Sequence, residues 1–136
     1  MDQRRDELTT AERVAPLASH LLSTSASHAL AVAAYCFMPD HMHALIEALQ
    51  DDADFRECVR MFKQRSAFDW KRLHGSVLWQ QSYYDRVLRE DEDTIAVARY
   101  VLDNPVRAGL VKSPLDYPFL GSGTMNVKDL MTTLDP

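Results

Sequence analysis

The sequence predicts an α+β fold in which helices cover one face of a small antiparallel sheet. The predicted elements follow in the order helix, strand, strand, helix, strand, helix, which is typical of that class. Two apolar segments flank Pro39-Asp40, as in a hairpin. Apolar residues also recur every three or four positions from Phe55 to Leu73, as on one face of a helix.

The first half of the chain predicts one helix and a hairpin. Thr9 or Thr10 can cap a helix from about Ala11 to Leu22, and the serine-rich residues 23–27 predict a loop. Residues 28–38 and 41–49 predict two strands joined at Pro39-Asp40. Because residues 28–38 contain several alanines, a buried helix is the alternative for that segment.

The second half predicts two more helices with extended segments between them. Residues 51–54 are rich in aspartate and can cap the helix that starts at Phe55, and Gly75 can end it in a left-handed conformation. Residues 77–80 and 84–89 are expected to be extended. The last main helix is predicted to begin at residues 90–93 and to stop before Pro105.

Length and composition indicate one domain, residues 1–136, with residues 121–136 expected to be a peripheral tail. No apolar run reaches the roughly 18 residues of a membrane span, and the charged start leads into no signal peptide, so we expect a cytoplasmic protein without a membrane partner. Cys36 and Cys58 form no CxxC pair and are expected to be buried free thiols. With four glycines and no Walker-type loop, no nucleotide cofactor is expected.

His41 and His43 are the first candidate metal ligands. Residues two apart on a strand point to the same side, so both imidazoles would face one way while Met42 enters a core. Two parallel imidazoles can share one divalent ion. The alternative is an ordinary pair of surface histidines.

Tyr100 and Asn104 form the second candidate pair. They lie four apart on a predicted helix and therefore on one face. A tyrosine hydroxyl can act as a nucleophile, and an asparagine oxygen can complete a metal shell. The alternative is that Tyr100 is an amphipathic core residue and Asn104 a polar residue at a helix end.

Positive charge is concentrated in one segment although the net charge is −5. The segment from Phe55 to Leu73 contains six basic and two acidic residues, a local excess of +4. This helix could follow a phosphate backbone, with nearby aromatic residues stacking on bases; alternatively, its charges form a solvated face. The candidate DNA-binding residues are Arg56, Arg60, Lys63, Arg65, Lys71, Arg72, Trp79 and Tyr83, with Tyr84 as a further stacking surface.

The order of these signals resembles that of a known family, the HUH single-tyrosine transposases, which include the REP-associated tyrosine transposases and their insertion-sequence-200-like relatives. The similarity spans about Ala34 to Phe119, and its most specific part is Tyr-Val-Leu-Asp-Asn-Pro-Val-Arg-Ala-Gly-Leu-Val, residues 100–111. The other matching segments are residues 35–43 (Tyr-Cys-Phe-Met-Pro-Asp-His-Met-His), 62–65 (Phe-Lys-Gln-Arg), 78–80 (Leu-Trp-Gln) and 84–89 (Tyr-Asp-Arg-Val-Leu-Arg).

The resemblance implies a ferredoxin-like sandwich and a specific chemistry. His41, His43 and Asn104 would bind a divalent metal, Mg²⁺ or Mn²⁺, and Tyr100 would attack DNA to form a 5′-phosphotyrosine. Single-stranded or hairpin DNA would be the partner, and the family also includes homodimers. The first family strand is predicted to be missing, because the ten mostly polar residues before the first helix show no apolar alternation. The alternative function is a truncated or inactive remnant that binds structured DNA without cutting it.

Overall fold

A computed structural model describes residues 7–79 and 94–134 of the chain. It has the α+β architecture that the sequence predicts. Its elements are α1 (Ala11–Ser27), β1 (Leu30–Met38), β2 (His41–Ala48), α2 (Phe55–His74), α3 (Thr94–Leu102), α4 (Asn104–Arg107), a 3₁₀ turn (Pro114–Asp116), β3 (Leu120–Gly121) and α5 (Val127–Leu134).

The sheet is antiparallel, with the order β2-β1-β3. β1 and β2 form the predicted hairpin, in which Met38 pairs with His41 across Pro39-Asp40. β3 is short and pairs with β1 at two positions, Tyr35 with Gly121 and Cys36 with Leu120. The hairpin therefore provides most of the sheet and places His41 directly after its turn.

Helices cover both faces of the sheet, whereas the sequence analysis predicted one covered face. On one face, α1 and α2 pack on Phe37 and Met42; on the other, α3 and α5 pack on Cys36 and Leu45. The reason lies in β1, which is a nearly continuous apolar run without polar alternation. A strand of this composition is stable when both of its faces are buried.

α1 continues to Ser27 and so includes the residues predicted as a loop. Thr24 and Ser25 are buried against the rest of the protein, and the Ser27 hydroxyl donates to the carbonyl of Thr24 at 2.8 Å. Packing and these local hydrogen bonds outweigh the weak helix preference of serine and threonine. The predicted start is confirmed, because the Thr10 hydroxyl accepts from the Arg13 amide at 3.3 Å.

α2 begins and ends where the sequence predicts. The Asp54 carboxylate accepts from the Glu57 amide at 3.0 Å and caps the first turn. Gly75 ends the helix with a φ of 71°, a left-handed conformation that glycine adopts without steric cost. The buried face of α2 carries Cys58, Phe62, Ser66 and Trp70.

The last main helix is divided in two. α3 ends at Leu102, and helical backbone resumes at Asn104 after a break at Asp103. Pro105 lies in the first turn of α4, where a residue without an N–H costs no hydrogen bond, so it follows the break and does not itself stop a helix. Residues 77–79, expected to be extended, belong to no strand, and residues 80, 84–89 and 90–93 lie outside the described residues.

The segment predicted as a peripheral tail contributes to the core. Gly121 pairs in the sheet, and Leu130 and Leu134 of α5 are 6% and 4% exposed within the cluster that α3 packs against. These two leucines lie four residues apart on one face of α5, a pattern too short to stand out in the sequence.

Residues 7–10 form no strand, and residues 1–6 lie outside the described residues, so the predicted loss of the first family strand stays a prediction. Leu8 is nevertheless buried, and its amide donates to the carbonyl of Pro39 at 2.9 Å. Across residues 7–79 and 94–134, no helix has the length and apolar composition needed to cross a membrane.

Candidate active site

The two histidines lie side by side at the start of β2. Their ring centroids are 4.9 Å apart, and both side chains face α3, whereas Met42 between them packs on the α1 and α2 side. The expected alternation of a strand therefore brings the imidazoles together, as the His-x-His spacing predicts.

Asp40 orients the first imidazole. Its carboxylate lies 2.6 Å from Nδ1 of His41, so this nitrogen carries the proton and Nε2 is left as the nitrogen that can bind a metal. A carboxylate in this position holds the imidazole ring in one orientation. The sequence predicted Asp40 only as a turn residue; an acid directly before His-x-His was the signal that could have identified its role.

His43 is half-buried. Its burial, and then the positive charges of His41 and Arg107, lower the pKa of His43 below the ordinary value for histidine. The ring consequently remains neutral at pH values where an exposed histidine would gain a proton. A neutral imidazole is the form that binds a metal ion.

Tyr100 on α3 reaches the histidines from a different part of the sequence. Its ring centroid lies 6.2 Å from that of His43 in an edge-to-face arrangement, although the tyrosine side chain is 56% exposed. The alternative that Tyr100 is a core residue is therefore wrong. An exposed phenol beside two imidazoles can reach an external substrate.

Asn104 is held beneath Tyr100. It is 9% exposed, and its Nδ2 donates to the carbonyls of Val101 at 3.0 Å and Tyr100 at 3.3 Å. The amide oxygen, the atom expected to bind a metal, consequently lies on the opposite side of the amide group from these carbonyls. The described hydrogen bonds of Asn104 join it to α3 and not to the histidines.

The donor set fits a divalent ion. Two imidazoles that bind one ion through bonds of about 2.1 Å, at bond angles of roughly 90° to 110°, have ring centroids about 4.6 to 5.3 Å apart, which includes the observed 4.9 Å. Among residues 7–79 and 94–134, no three His, Cys, Asp or Glu side chains cluster as a metal site. The role of the Asn104 amide as a third protein ligand stays a prediction.

Arg107 is a second residue of the site, after Asp40, that was not predicted from the sequence. Its guanidinium carbon lies 4.0 Å from the centroid of the Tyr100 ring, and its Nη2 donates to the Tyr100 carbonyl at 2.7 Å. Its charge also acts on the buried Cys36. The pKa of this thiol is raised to about 12, because burial raises it more than the charge of Arg107 lowers it. The spacing of seven residues gave no signal for this contact, because the helix breaks at Asp103 between Tyr100 and Arg107.

The predicted DNA-binding residues of α2 are divided by the fold. Arg56, Arg60 and Lys71 are exposed, and Arg60 pairs with Glu57 at 2.6 Å. Arg65 and Arg72 are exposed on another side of the helix, where Arg65 contacts Thr24 of α1 at 3.4 Å and Arg72 contacts Asp69 at 3.4 Å.

The aromatic residues expected near this helix are described only in part. The Trp79 indole packs on Phe62, donates to the Ser66 hydroxyl at 2.9 Å and lies 5.9 Å below the Lys63 ammonium group. Trp79 is thus half-buried and already packed within the protein. Tyr83 and Tyr84 lie outside the described residues, so their expected role stays a prediction.

Comparison with protein families gives a match over most of the chain. Residues 1–104 match the family model described as "Transposase IS200 like". This range includes both histidines, Tyr100 and Asn104.

Two curated relatives carry related names. The chain is 26% identical over 102 residues to a Haemophilus influenzae protein named as a candidate REP-associated tyrosine transposase, covering 63% of this chain and 55% of the relative. It is also 26% identical over 118 residues to the REP-associated tyrosine transposase of Escherichia coli, covering 85% of this chain and 68% of that protein. The chain thus spans about half the length of the Haemophilus protein and two thirds of the Escherichia coli protein.

A solved structure shares the fold. It is a REP-associated tyrosine transposase bound to a REP hairpin, and it aligns with a TM-score of 0.72 and 25% identity. The alignment covers 99% of this chain and 76% of the solved one.

Proposed function

The chain belongs to the IS200-like transposase family, and on that premise we propose that it cuts and rejoins hairpin-forming single-stranded DNA through a covalent bond to Tyr100. The observation that carries the proposal is the meeting of the exposed Tyr100 ring with His43, 6.2 Å between centroids. A nucleophile and a metal-ligand pair at one point are what phosphodiester transfer requires.

The cleavage step exchanges one phosphoester for another. The Tyr100 Oη attacks the scissile phosphorus, and the bond from phosphorus to the 3′ oxygen breaks. The departing 3′ oxygen gains one proton, which balances the proton that the phenol loses. The products are a 5′-phosphotyrosine and a free 3′-hydroxyl. Because the phosphoester bond is conserved, a second 3′-hydroxyl can reverse the step and rejoin DNA without ATP.

We assign the metal ligands to His41, His43 and Asn104, with Mg²⁺ or Mn²⁺ as the ion. When bound, such an ion draws negative charge from the phosphate and stabilises the leaving oxygen. The contribution of the protein is orientation: Asp40 holds His41 at 2.6 Å, and the backbone of α3 holds Asn104.

DNA binding is assigned to the basic residues of α2, led by the exposed Arg56, Arg60 and Lys71. A negatively charged protein can bind a polyanion through one positive surface, provided that the rest of the molecule faces away from the nucleic acid. The hairpin in the solved relative supports structured single strands as the substrate class.

The decisive experiment uses the Tyr100→Phe variant. Wild-type protein, incubated with labelled single-stranded hairpin DNA and Mg²⁺ or Mn²⁺, is expected to form a covalent adduct that survives sodium dodecyl sulfate. Tyr100→Phe should abolish the adduct while hairpin binding remains, because only the hydroxyl is lost. The matched control is Tyr35→Phe, which removes a phenol hydroxyl on the α1 and α2 side of the sheet and should retain the adduct.

Two results would contradict the proposal. An adduct that persists in Tyr100→Phe would show that another residue is the nucleophile. Tight, salt-sensitive hairpin binding by the wild type, with no cleavage of any hairpin in the presence of either metal, would instead support a binding protein without strand transfer.

A further inference from the structure

We propose that Arg107 is a positioning residue that holds the Tyr100 phenol beside His43. The inference rests on the proposed function and deepens it, because it concerns how the attacking group is kept in place. It follows from two contacts that Arg107 makes with Tyr100, one to the ring and one to the backbone.

Tyr100 needs support that the core does not supply. Its side chain is 56% exposed, so packing restricts the ring on one side only. Fixing an exposed side chain in one rotamer costs conformational entropy. In-line attack on phosphorus nevertheless requires a defined position, and a displacement of about 1 Å can slow a reaction on the order of 10²-fold.

Arg107 supplies this support through a contact with the face of the ring. The guanidinium carbon lies 4.0 Å from the ring centroid, and the Tyr100 and His43 rings are nearly perpendicular to each other, with centroids 6.2 Å apart. A guanidinium group is planar and can stack on an aromatic face while donating hydrogen bonds at its edge. The Tyr100 ring therefore contacts both Arg107 and His43.

The second contact joins the two short helices of the site. The carbonyl of Tyr100 accepts from Arg107 Nη2 at 2.7 Å and from Asn104 Nδ2 at 3.3 Å. Carbonyls in the last turn of a helix lack intrahelical partners, so side-chain donors are favourable there. Arg107 thus connects α4 to α3 across the break at Asp103. This contact fixes the position of Tyr100, the nucleophile, relative to Asn104, the assigned third ligand.

The kinetic test compares Arg107→Ala, Arg107→Lys and a matched control under single-turnover conditions. At saturating hairpin DNA and metal, we expect Arg107→Ala to slow adduct formation on the order of 10²-fold with little change in Kd for the hairpin. Arg107→Lys should recover part of the rate, because an ammonium group retains the charge and one donor but not the planar stack.

The control is Arg13→Ala. Arg13 makes the same two kinds of contact on the other face of the sheet: it lies 5.7 Å from the Trp70 ring and donates to the Glu7 carbonyl at 3.3 Å. This variant should leave the rate unchanged. The contrary result is that Arg107→Ala raises the Kd for the hairpin and leaves the rate at saturation unchanged, while the slope of log K against log salt concentration falls by about one. That result would make Arg107 a phosphate contact, and the inference would be wrong.

A second measurement is independent of catalysis. In protein labelled with 3-fluorotyrosine, the Tyr100 resonance can be assigned by its loss in Tyr100→Phe. Arg107→Ala should shift this ¹⁹F resonance towards that of free fluorotyrosine, whereas Arg13→Ala should not. An unshifted resonance would overturn the inference. A shifted resonance in a protein that forms no adduct would reject the proposed function but retain the positioning role.

Discussion

At the residue scale, the candidate site is built from pairs in which one side chain orients another. Asp40 holds His41, Arg107 holds Tyr100, and the backbone carbonyls of α3 hold Asn104. Catalytic groups work best when their rotamers are fixed before the substrate arrives. The residues that fix them are therefore expected to influence activity without touching DNA.

Asp40 provides a prediction at this scale. Asp40→Asn removes the carboxylate that orients His41, and we expect a 10- to 100-fold rise in the Mn²⁺ concentration that gives half-maximal adduct formation, of the order seen when such partners are removed. The matched control is Asp69→Asn, which breaks another aspartate–histidine pair, to His20, also at 2.6 Å but between α1 and α2. An equal metal requirement in both variants would contradict the role of Asp40.

At the element scale, each main element has a distinct task. The hairpin carries the histidines, α3 with α4 carries Tyr100 and Asn104, and α2 carries exposed positive charge. α5 has no site residue, but its buried leucines lie in the same cluster as Val101 and Leu102 of α3. α5 thus packs against the buried side of α3, the helix that carries Tyr100.

The role of α5 can be tested by a truncation in its buried face. Leu130 is 6% exposed, and we expect Leu130→Ala to reduce the free energy of unfolding by about 2 to 5 kcal/mol through lost burial and a residual cavity. Urea denaturation measures this change. Lys128→Ala, on the exposed side of α5, serves as the control, and equal stabilities of the two variants would indicate that α5 does not pack on the core in solution.

At the scale of the whole molecule, the candidate site is assembled within one chain. Tyr100 meets His43 of its own chain at 6.2 Å, so the site needs no helix exchanged with a second copy. The homodimer that the family resemblance allows stays a prediction. Whether one chain or two chains form the active site can therefore be tested.

A mixing experiment distinguishes the two arrangements. Tyr100→Phe retains the histidines but lacks the nucleophile, and His43→Ala retains the nucleophile but lacks one imidazole. For a site within one chain, an equimolar mixture of the two variants should form no adduct with hairpin DNA. Recovery of about a quarter to a half of the wild-type adduct would instead indicate a dimer with exchanged tyrosine helices, by the symmetry of such an assembly.

Several elements could be predicted from local sequence because their causes are local. The hairpin follows from two apolar runs around Pro39-Asp40, and α2 follows from its apolar spacing between Asp54 and Gly75. The predicted end of α1 near Leu22 was wrong, because Thr24 and Ser25 have polar side chains that favour loops in isolation. Their burial, which depends on α2 and β1, decided the outcome.

The sequence by itself determined the α+β class, the shared direction of His41 and His43, and the caps of α2, because each depends on residues only a few positions apart. The tertiary structure alone decided that helices cover both faces of the sheet, that α5 joins the core, and that Arg107 stacks on Tyr100. These features arise from contacts between distant segments or from side-chain directions after a helix break. Local patterns contain no information about which surfaces will meet when the chain folds.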